Sequence, residues 1–374
     1  MTAELYNLFH HLLPNYKPGR MYKNLVIYYF SGTGNALTAA RWMASKAELK
    51  GIKTSLVSID RFKKPSIPFH DGKTLIGFLY PTHGFSLPWI MLKFMLKFPL
   101  ALKQDAFLMN TRAGMKAGKF FTPGLSGMAQ LLAMAVLKIK GFNIKGLLPL
   151  DMPSNWISIH PGLNKKTVDS IVERCRGVID SFSDKILLGK RVYKGLWSLP
   201  IDIAIIPVAI GYSLFGRFIL AKSFISSSDC GNCRLCEEEC PTGALTIVDK
   251  RPYWSFKCES CMRCMNICPK KSIQTAHTFV VLAFIVLSFI PYSFWLTAIA
   301  SKYLLGASGL AFDLLYKAAS WSFQMLFIFI AYHALHFIIK NRMISDFFTY
   351  TSLTRYWRRY RAPGIKASDF RQKK

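Results

Sequence analysis

Residues 25–36 read Leu-Val-Ile-Tyr-Tyr-Phe-Ser-Gly-Thr-Gly-Asn-Ala: an apolar run, a turn holding two glycines, then the start of a helix. An apolar run without polar alternation suits a strand covered on both faces, as in parallel sheets. The glycines let the turn fold with several N–H groups pointing inward, the hydroxyls of Ser31 and Thr33 add donors, and the helix N-terminus adds positive potential. Such a turn can cradle a phosphate. A Walker loop would end in Gly-Lys-Ser/Thr and a dinucleotide loop would read G-x-G-x-x-G; residues 31–36 match neither. The plain alternative is a strand–helix turn without a ligand.

Outward from this turn, residues 24–190 alternate short apolar runs with longer mixed segments, the rhythm of βαβ units. The runs predict five strands, Leu25–Phe30, Thr54–Ile59, Leu75–Tyr80, Ala106–Asn110 and Gly146–Leu150. Helices are expected over Asn35–Lys50, Leu87–Phe98, Leu125–Lys138 and Lys165–Leu188. The fold class is therefore α/β, a five-stranded parallel sheet between two layers of helices. Ligands of open α/β sheets lie beyond the carboxyl ends of the strands. That points to the loops after strands three and four, Pro81, Thr82, His83, Gly84 and Phe85, then Thr111, Arg112, Ala113 and Gly114. Trp156, after strand five, is a further stacking candidate, and Cys175 reads as a small buried hydrophobe.

The turn at Ser31, Gly32, Thr33, Gly34, Asn35 and Ala36 resembles the phosphate loop of flavodoxins, which hold FMN with hydroxyls and backbone amides. The chain departs from that pattern at Ala36, where many flavodoxins carry a second threonine. By the same resemblance, residues 81–85 would cover one face of the flavin ring, with Phe85 stacking. Residues 111–114 would offer backbone hydrogen bonds to its edge.

Eight of the nine cysteines lie in two copies of C-x2-C-x2-C-x3-C-P. The first is Cys230, Cys233, Cys236, Cys240 with Pro241; the second is Cys258, Cys261, Cys264, Cys268 with Pro269. Three cysteines so closely spaced wrap a cubane corner by corner, and the proline turns the fourth away. Two four-cysteine zinc sites are the alternative, but zinc uses pairs of C-x2-C and gives no reason for a third cysteine or the proline. In the bacterial two-cluster arrangement the fourth cysteine ligates the other cluster. One [4Fe–4S] cluster is then held by Cys230, Cys233, Cys236 and Cys268, its partner by Cys258, Cys261, Cys264 and Cys240. These residues resemble bacterial two-[4Fe–4S] ferredoxins, including the Pro-Thr-Gly-Ala that follows Cys240. The two resemblances together describe the flavodoxin–ferredoxin fusion proteins of anaerobic bacteria and archaea.

The 49 Lys and Arg against 20 Asp and Glu give a net charge of +29, which attracts either nucleic acid or an anionic membrane. Two stretches without Asp, Glu, Lys or Arg, Thr278–Ala300 and Ala318–Ile339, favour the membrane, because each is long enough to cross it as a helix. Nucleic-acid binding is not expected, since the basic residues gather at these flanks. Lys270 and Lys271 before the first stretch and Lys340 and Arg342 after the second place both flanks in the cytosol. Leu196–Ala221, broken by Pro200 and Pro207, is expected to lie at the interface or to re-enter rather than cross. Leu5–Leu13 is amphipathic and could join it there. His333 and His336 read as paired polar groups near a helix end or as a quinone contact.

The domains expected are an N-terminal amphipathic segment (1–23), the flavodoxin-like domain (24–190), an apolar linker (191–226), the ferredoxin module (227–275), a transmembrane hairpin (276–340) and a basic cytoplasmic tail (341–374). No export signal is visible. The expectation is a multi-pass protein of the cytoplasmic membrane with its redox domains in the cytoplasm. It would relay electrons between FMN and two clusters, to or from a ferredoxin, a reductase or a membrane acceptor. A flavin-dependent reductase of an organic substrate or quinone and an iron–sulfur redox sensor are the alternatives.

Overall fold

The computed structural model of the chain describes residues 22–61, 65, 74–101, 103–289 and 310–370. All five expected strands form: β1 (Asn24–Tyr29), β2 (Lys53–Ser58), β3 (Thr74–Pro81), β4 (Asp105–Ala117) and β6 (Asn143–Pro153). They pair in parallel in the order β2-β1-β3-β4-β6, the doubly wound order of flavodoxin-like sheets. Two faces are buried because successive side chains point to opposite sides. Val26, Tyr28 and Phe30 join the core under the Trp89–Lys97 and Ala129–Ile139 helices. Leu25 and Ile27 join the core under Asn35–Leu49 and Lys165–Ile186.

The sheet is larger than the five strands expected. Val192–Tyr193 (β7) adds a parallel strand beside β6, and β4 runs on past Asn110 into an antiparallel hairpin with Phe120–Thr122 (β5). The expectation stopped at Asn110 because an unbroken apolar run marks only the doubly covered part of a strand. Beyond it, Ala113, Met115 and Ala117 are exposed.

After β7 the Leu196–Ala221 segment is a pair of helices bent by 62° between Ala204 and Ile206. The bend falls just ahead of Pro207, whose ring cannot follow an unbroken helix. The cysteine module then builds two small sheets, Phe224–Ser226 (β8) with Ile273–Thr275 (β11), and Leu245–Val248 (β9) with Arg251–Trp254 (β10). Its core is Trp254, Met262 and Met265 with partly buried cysteines.

Among the described residues one helix is long and apolar enough to cross a membrane, Asp313–Ile338. The first expected span is described only as the helix His277–Phe289, and its remainder, with Lys302 and the Leu5–Leu13 segment, lies outside the described residues.

The stretch read as a basic tail is instead folded onto the body of the protein. Asn341 caps a helix, Arg342–Tyr350. The chain from Ser352 to Phe370 then returns as a strap, burying Tyr360, Ala362, Ile365 and Phe370. Charge counting missed this because arginines such as Arg358 and Arg359 bond backbone carbonyls of the body while the apolar residues between the charges supply the packing.

Candidate functional site

The glycine turn sits at the carboxyl end of β1, as expected, and is buried rather than open. Gly34 has φ +107, a conformation that side chains other than glycine rarely adopt. Around it, the Ser31 hydroxyl accepts a hydrogen bond from Leu37 N, and the Thr33 hydroxyl accepts one from the Asn155 amide. Asn35 donates to Pro153 O and accepts from the Tyr360 hydroxyl at 2.6 Å. The strap closes the turn from outside: Ala362 N–H donates to Thr33 O at 2.9 Å, and the side chains of Ala362 and Ile365 lie against Gly34.

Beside the turn lies a cavity of about 290 Å³. Gly32 and Asn35 line it from the turn, residues 81–85 from the loop after β3, and Thr111, Arg112 and Ala113 from β4. Ser31, Thr33, Gly34, Ala36 and Gly114 do not reach it. Arg112, although it lines the cavity, holds Asp151 with its guanidinium (Nε to Oδ1, 2.6 Å). Three contributors come from stretches that the sequence did not mark for this cavity. Tyr212, from the bent apolar pair, lays its ring on Gly84 and meets Trp156 edge-on at 6.1 Å. His160 binds the Ser154 hydroxyl at 2.7 Å. The third is the stretch Ser260, Cys261 and Met262 from the second cysteine motif.

That motif touches the turn directly. A Cβ built on Gly32 would lie 2.1 Å from the carbonyl oxygen of Cys261, so only glycine permits the approach. Arg263, two residues on and 2% exposed, locks the contact: its guanidinium bonds Asp60, Glu239 O and Ser31 O. Arg61 mirrors it, donating through Nε to Cys240 O at 2.9 Å.

Within the module the cysteines sort into two groups across the motifs. Burial, with Cys230, Cys268 and Cys233 nearby, pushes the Cys236 thiol up to about 12. Burial likewise raises Cys258 and Cys264, whose thiol neighbours include Cys240 and Cys261. The fourth cysteine of each motif thus stands with the first three of the other. Cys230, Cys233, Cys236 and Cys268 ring a cavity of about 170 Å³. No three Cys, His, Asp or Glu side chains among the described residues converge as ligands of one metal ion. A ring of thiols around a void suits the corners of a cubane better than a single zinc ion. Hydrogen bonds reach the sulfurs as such centres require: Ala244 N to Cys240 at 3.3 Å, Ser260 N to Cys258 at 3.4 Å, and Ser272 Oγ beside Cys268 at 3.2 Å.

Residues 229–273 match the family model of the 4Fe–4S dicluster domain. An uncharacterized protein of Methanocaldococcus jannaschii is 34% identical over 68 residues, 18% of this chain and 26% of that protein. NADPH-dependent diflavin oxidoreductase 1 of Arabidopsis thaliana is 42% identical over 53 residues, 14% of this chain and 8% of that protein. The chain therefore spans only 26% and 8% of the lengths of these curated relatives. Among solved structures, oxidised flavodoxin 1 from Bacillus cereus aligns at 17% identity over 43% of this chain and 97% of its own, with a TM-score of 0.30. An archaeal flavodoxin aligns at 14% identity over 44% and 98%, with a TM-score of 0.28. The chain thus joins a 4Fe–4S dicluster domain to an α/β domain with flavodoxin-like strand order.

Proposed function

We propose that the chain is a membrane-anchored electron relay of the flavodoxin–ferredoxin fusion type, holding one FMN and two [4Fe–4S] clusters. The observation that carries this reading is the shared wall. The cavity at the carboxyl ends of β1, β3 and β4 is closed by Ser260, Cys261 and Met262, and Gly32 rests on Cys261 itself. A flavin bound there is a direct neighbour of the inner cysteine group.

The cavity fits such a group. It is lined by aromatic rings, Trp156, Tyr212 and Phe85, and His83 presents a buried Nδ1 without a hydrogen-bond partner among the described residues. The phosphate belongs on the Ser31–Ala36 turn, with Gly32 and Asn35 reaching the cavity, and the ring between the 81–85 and 111–114 loops. When bound, FMN converts two-electron chemistry into single-electron steps. The chain's own part is to orient the ring, keep bulk water out with Tyr212 and Trp156, and hold the cysteine groups at fixed distance through Arg263. Cys240, Cys258, Cys261 and Cys264 would hold the inner cluster, Cys230, Cys233, Cys236 and Cys268 the outer. Cys233 is exposed, which suits exchange with a soluble redox protein such as a ferredoxin or reductase. The Asp313–Ile338 helix would anchor the relay in the cytoplasmic membrane as one arm of a hairpin, redox domains inward.

Anaerobic purification with elemental analysis tests this. The expected result is about eight iron and eight sulfide per chain and one non-covalent FMN. Zinc in place of iron, or no flavin, overturns it. Cys240→Ser should damage the cluster of Cys258, Cys261 and Cys264; loss of the other instead would show that each motif binds its own. A second reading, reduction of an organic substrate at the flavin, is favoured by His83 alone, whose Nδ1 lies 3.8 Å from the Glu259 carboxylate.

A further inference from the structure

A second cavity, of about 540 Å³, lies beside residues that flank Cys240 and Cys258 of the inner cysteine group. Its walls include Pro241 and Thr242, which follow Cys240, and the Ser255–Lys257 stretch, which leads into Cys258. Two flat rings, Trp89 and Phe256, line it.

The charged side chains facing it are four cations, Arg61, Lys93, Arg217 and Lys257, and one carboxylate, Glu259. Glu259 is already used: its oxygens accept from Trp89 N at 3.2 Å and Ile90 N at 2.9 Å. Arg61 spends donors on Cys240 O and Glu237 O. Arg217 holds its guanidinium 4.9 Å over the Trp89 ring, and its buried Nε has no hydrogen-bond partner among the described residues. Lys93 stands 5.3 Å from the same ring. The lining thus offers aromatic faces and charged donors, with its one carboxylate committed elsewhere. The complementary ligand is a flat ring whose polar atoms only accept.

The cavity also connects to the apolar helix. Phe218, next to Arg217, packs on Phe256 at 5.6 Å and on Trp321 at 6.2 Å, and Phe256 stacks on Phe329 at 6.1 Å. Trp321 and Phe329 belong to the Asp313–Ile338 segment. The cavity is thus joined through Phe218 and Phe256 to the Trp321–Phe329 stretch of the apolar helix.

We propose that this cavity binds a quinone, a lipid-soluble ring whose carbonyl oxygens are acceptors only. The proposal rests on the electron-relay reading and names its membrane-side acceptor. The volume lies within the roughly 300–1,000 Å³ of small-molecule sites. The cations favour charge that develops on the carbonyl oxygens as the ring is reduced. Reduction takes two electrons, which the relay supplies, and two protons, which solvent supplies, and the hydroquinone leaves.

The test is equilibrium binding of decylubiquinone to the purified full-length protein in detergent micelles, by dialysis and by quenching of tryptophan fluorescence. Iron, sulfide and flavin are measured in the same samples. Wild type should bind one quinone. Arg217→Gln and the double change Lys93→Gln with Lys257→Gln should each weaken binding about tenfold or more, while cofactor content stays the same. The two lysines are exposed, so their replacement leaves the fold intact. Absence of binding in protein with full cofactor content, or equal binding by the double variant, overturns the site and leaves the relay standing. An acidic ferredoxin that shields Lys93 and Lys257 from amine modification when the quinone does not would make this face a protein-docking surface and also overturn the proposal. Missing iron or flavin would overturn the relay, whatever the quinone result.

Discussion

At the scale of single residues, the two halves of the molecule meet at a few positions that tolerate little change. Arg263 is inside the second cysteine motif, yet its guanidinium is spent on Asp60 and on the carbonyls of Ser31 and Glu239. Arg263→Gln leaves Asp60 buried without its counter-ion, and breaking one partner of a buried pair costs about 3–5 kcal/mol. Urea unfolding should record a loss of that order, and Arg263→Lys should restore little, because a single ammonium cannot reach three acceptors lying in different directions. Thr33 acts at one remove from the cavity by fixing Asn155, which lines it. Thr33→Ala should weaken FMN binding by about 1–3 kcal/mol, measured by fluorescence titration, whereas Thr33→Ser should bind as wild type does.

At the scale of elements, the strap from Ser352 to Phe370 is the one whose role differs most from its composition. It bonds the glycine turn through Ala362 and Tyr360, the cysteine module through Arg359 to Ile273 O, and the Asn35–Leu49 helix through the Arg41–Asp369 ion pair. Phe370 lies against Arg263, with the guanidinium carbon 4.4 Å from its ring. Truncation after Ser352 should lower the thermal midpoint and let flavin dissociate during gel filtration. Gly34→Ala adds a Cβ 3.0 Å from Ala362 and Ile365 at a φ of +107. Forcing such a backbone conformation costs about 1–3 kcal/mol. Combining the two changes separates the causes: the part due to the strap should vanish in the truncated chain and the backbone part should remain.

At the scale of the whole molecule, the strap constrains topology. Residues C-terminal to the apolar helix are hydrogen-bonded to the turn after β1, so if the apolar segments cross a membrane, both their ends must return to one side. Single cysteines replacing Lys50 and Arg342, in a variant otherwise free of exposed non-ligand thiols, should be labelled by an impermeant maleimide from the same face of oriented vesicles. Cysteine at Lys302 should be labelled from the other. Labelling of all three from one face would remove the hairpin.

What could be read from the amino-acid order alone was local. The sheet followed from apolar runs a few residues long, and the thiol groups from cysteines three and four positions apart, because strand burial and cluster ligation both act on neighbours in the chain. The turn at 31–36 and the loops after β3 and β4 were marked for the same reason. Contacts between distant residues left no such pattern. Tyr212 on Gly84, Ala362 on Thr33 and Cys261 on Gly32 join positions more than a hundred residues apart, and each side of the contact looks ordinary by itself. Only the folded chain shows that an apolar run lines the cavity while a basic tail braces the turn beside it. The selection there is steric and hydrogen-bonding fit between surfaces, and no residue's own chemistry announces it.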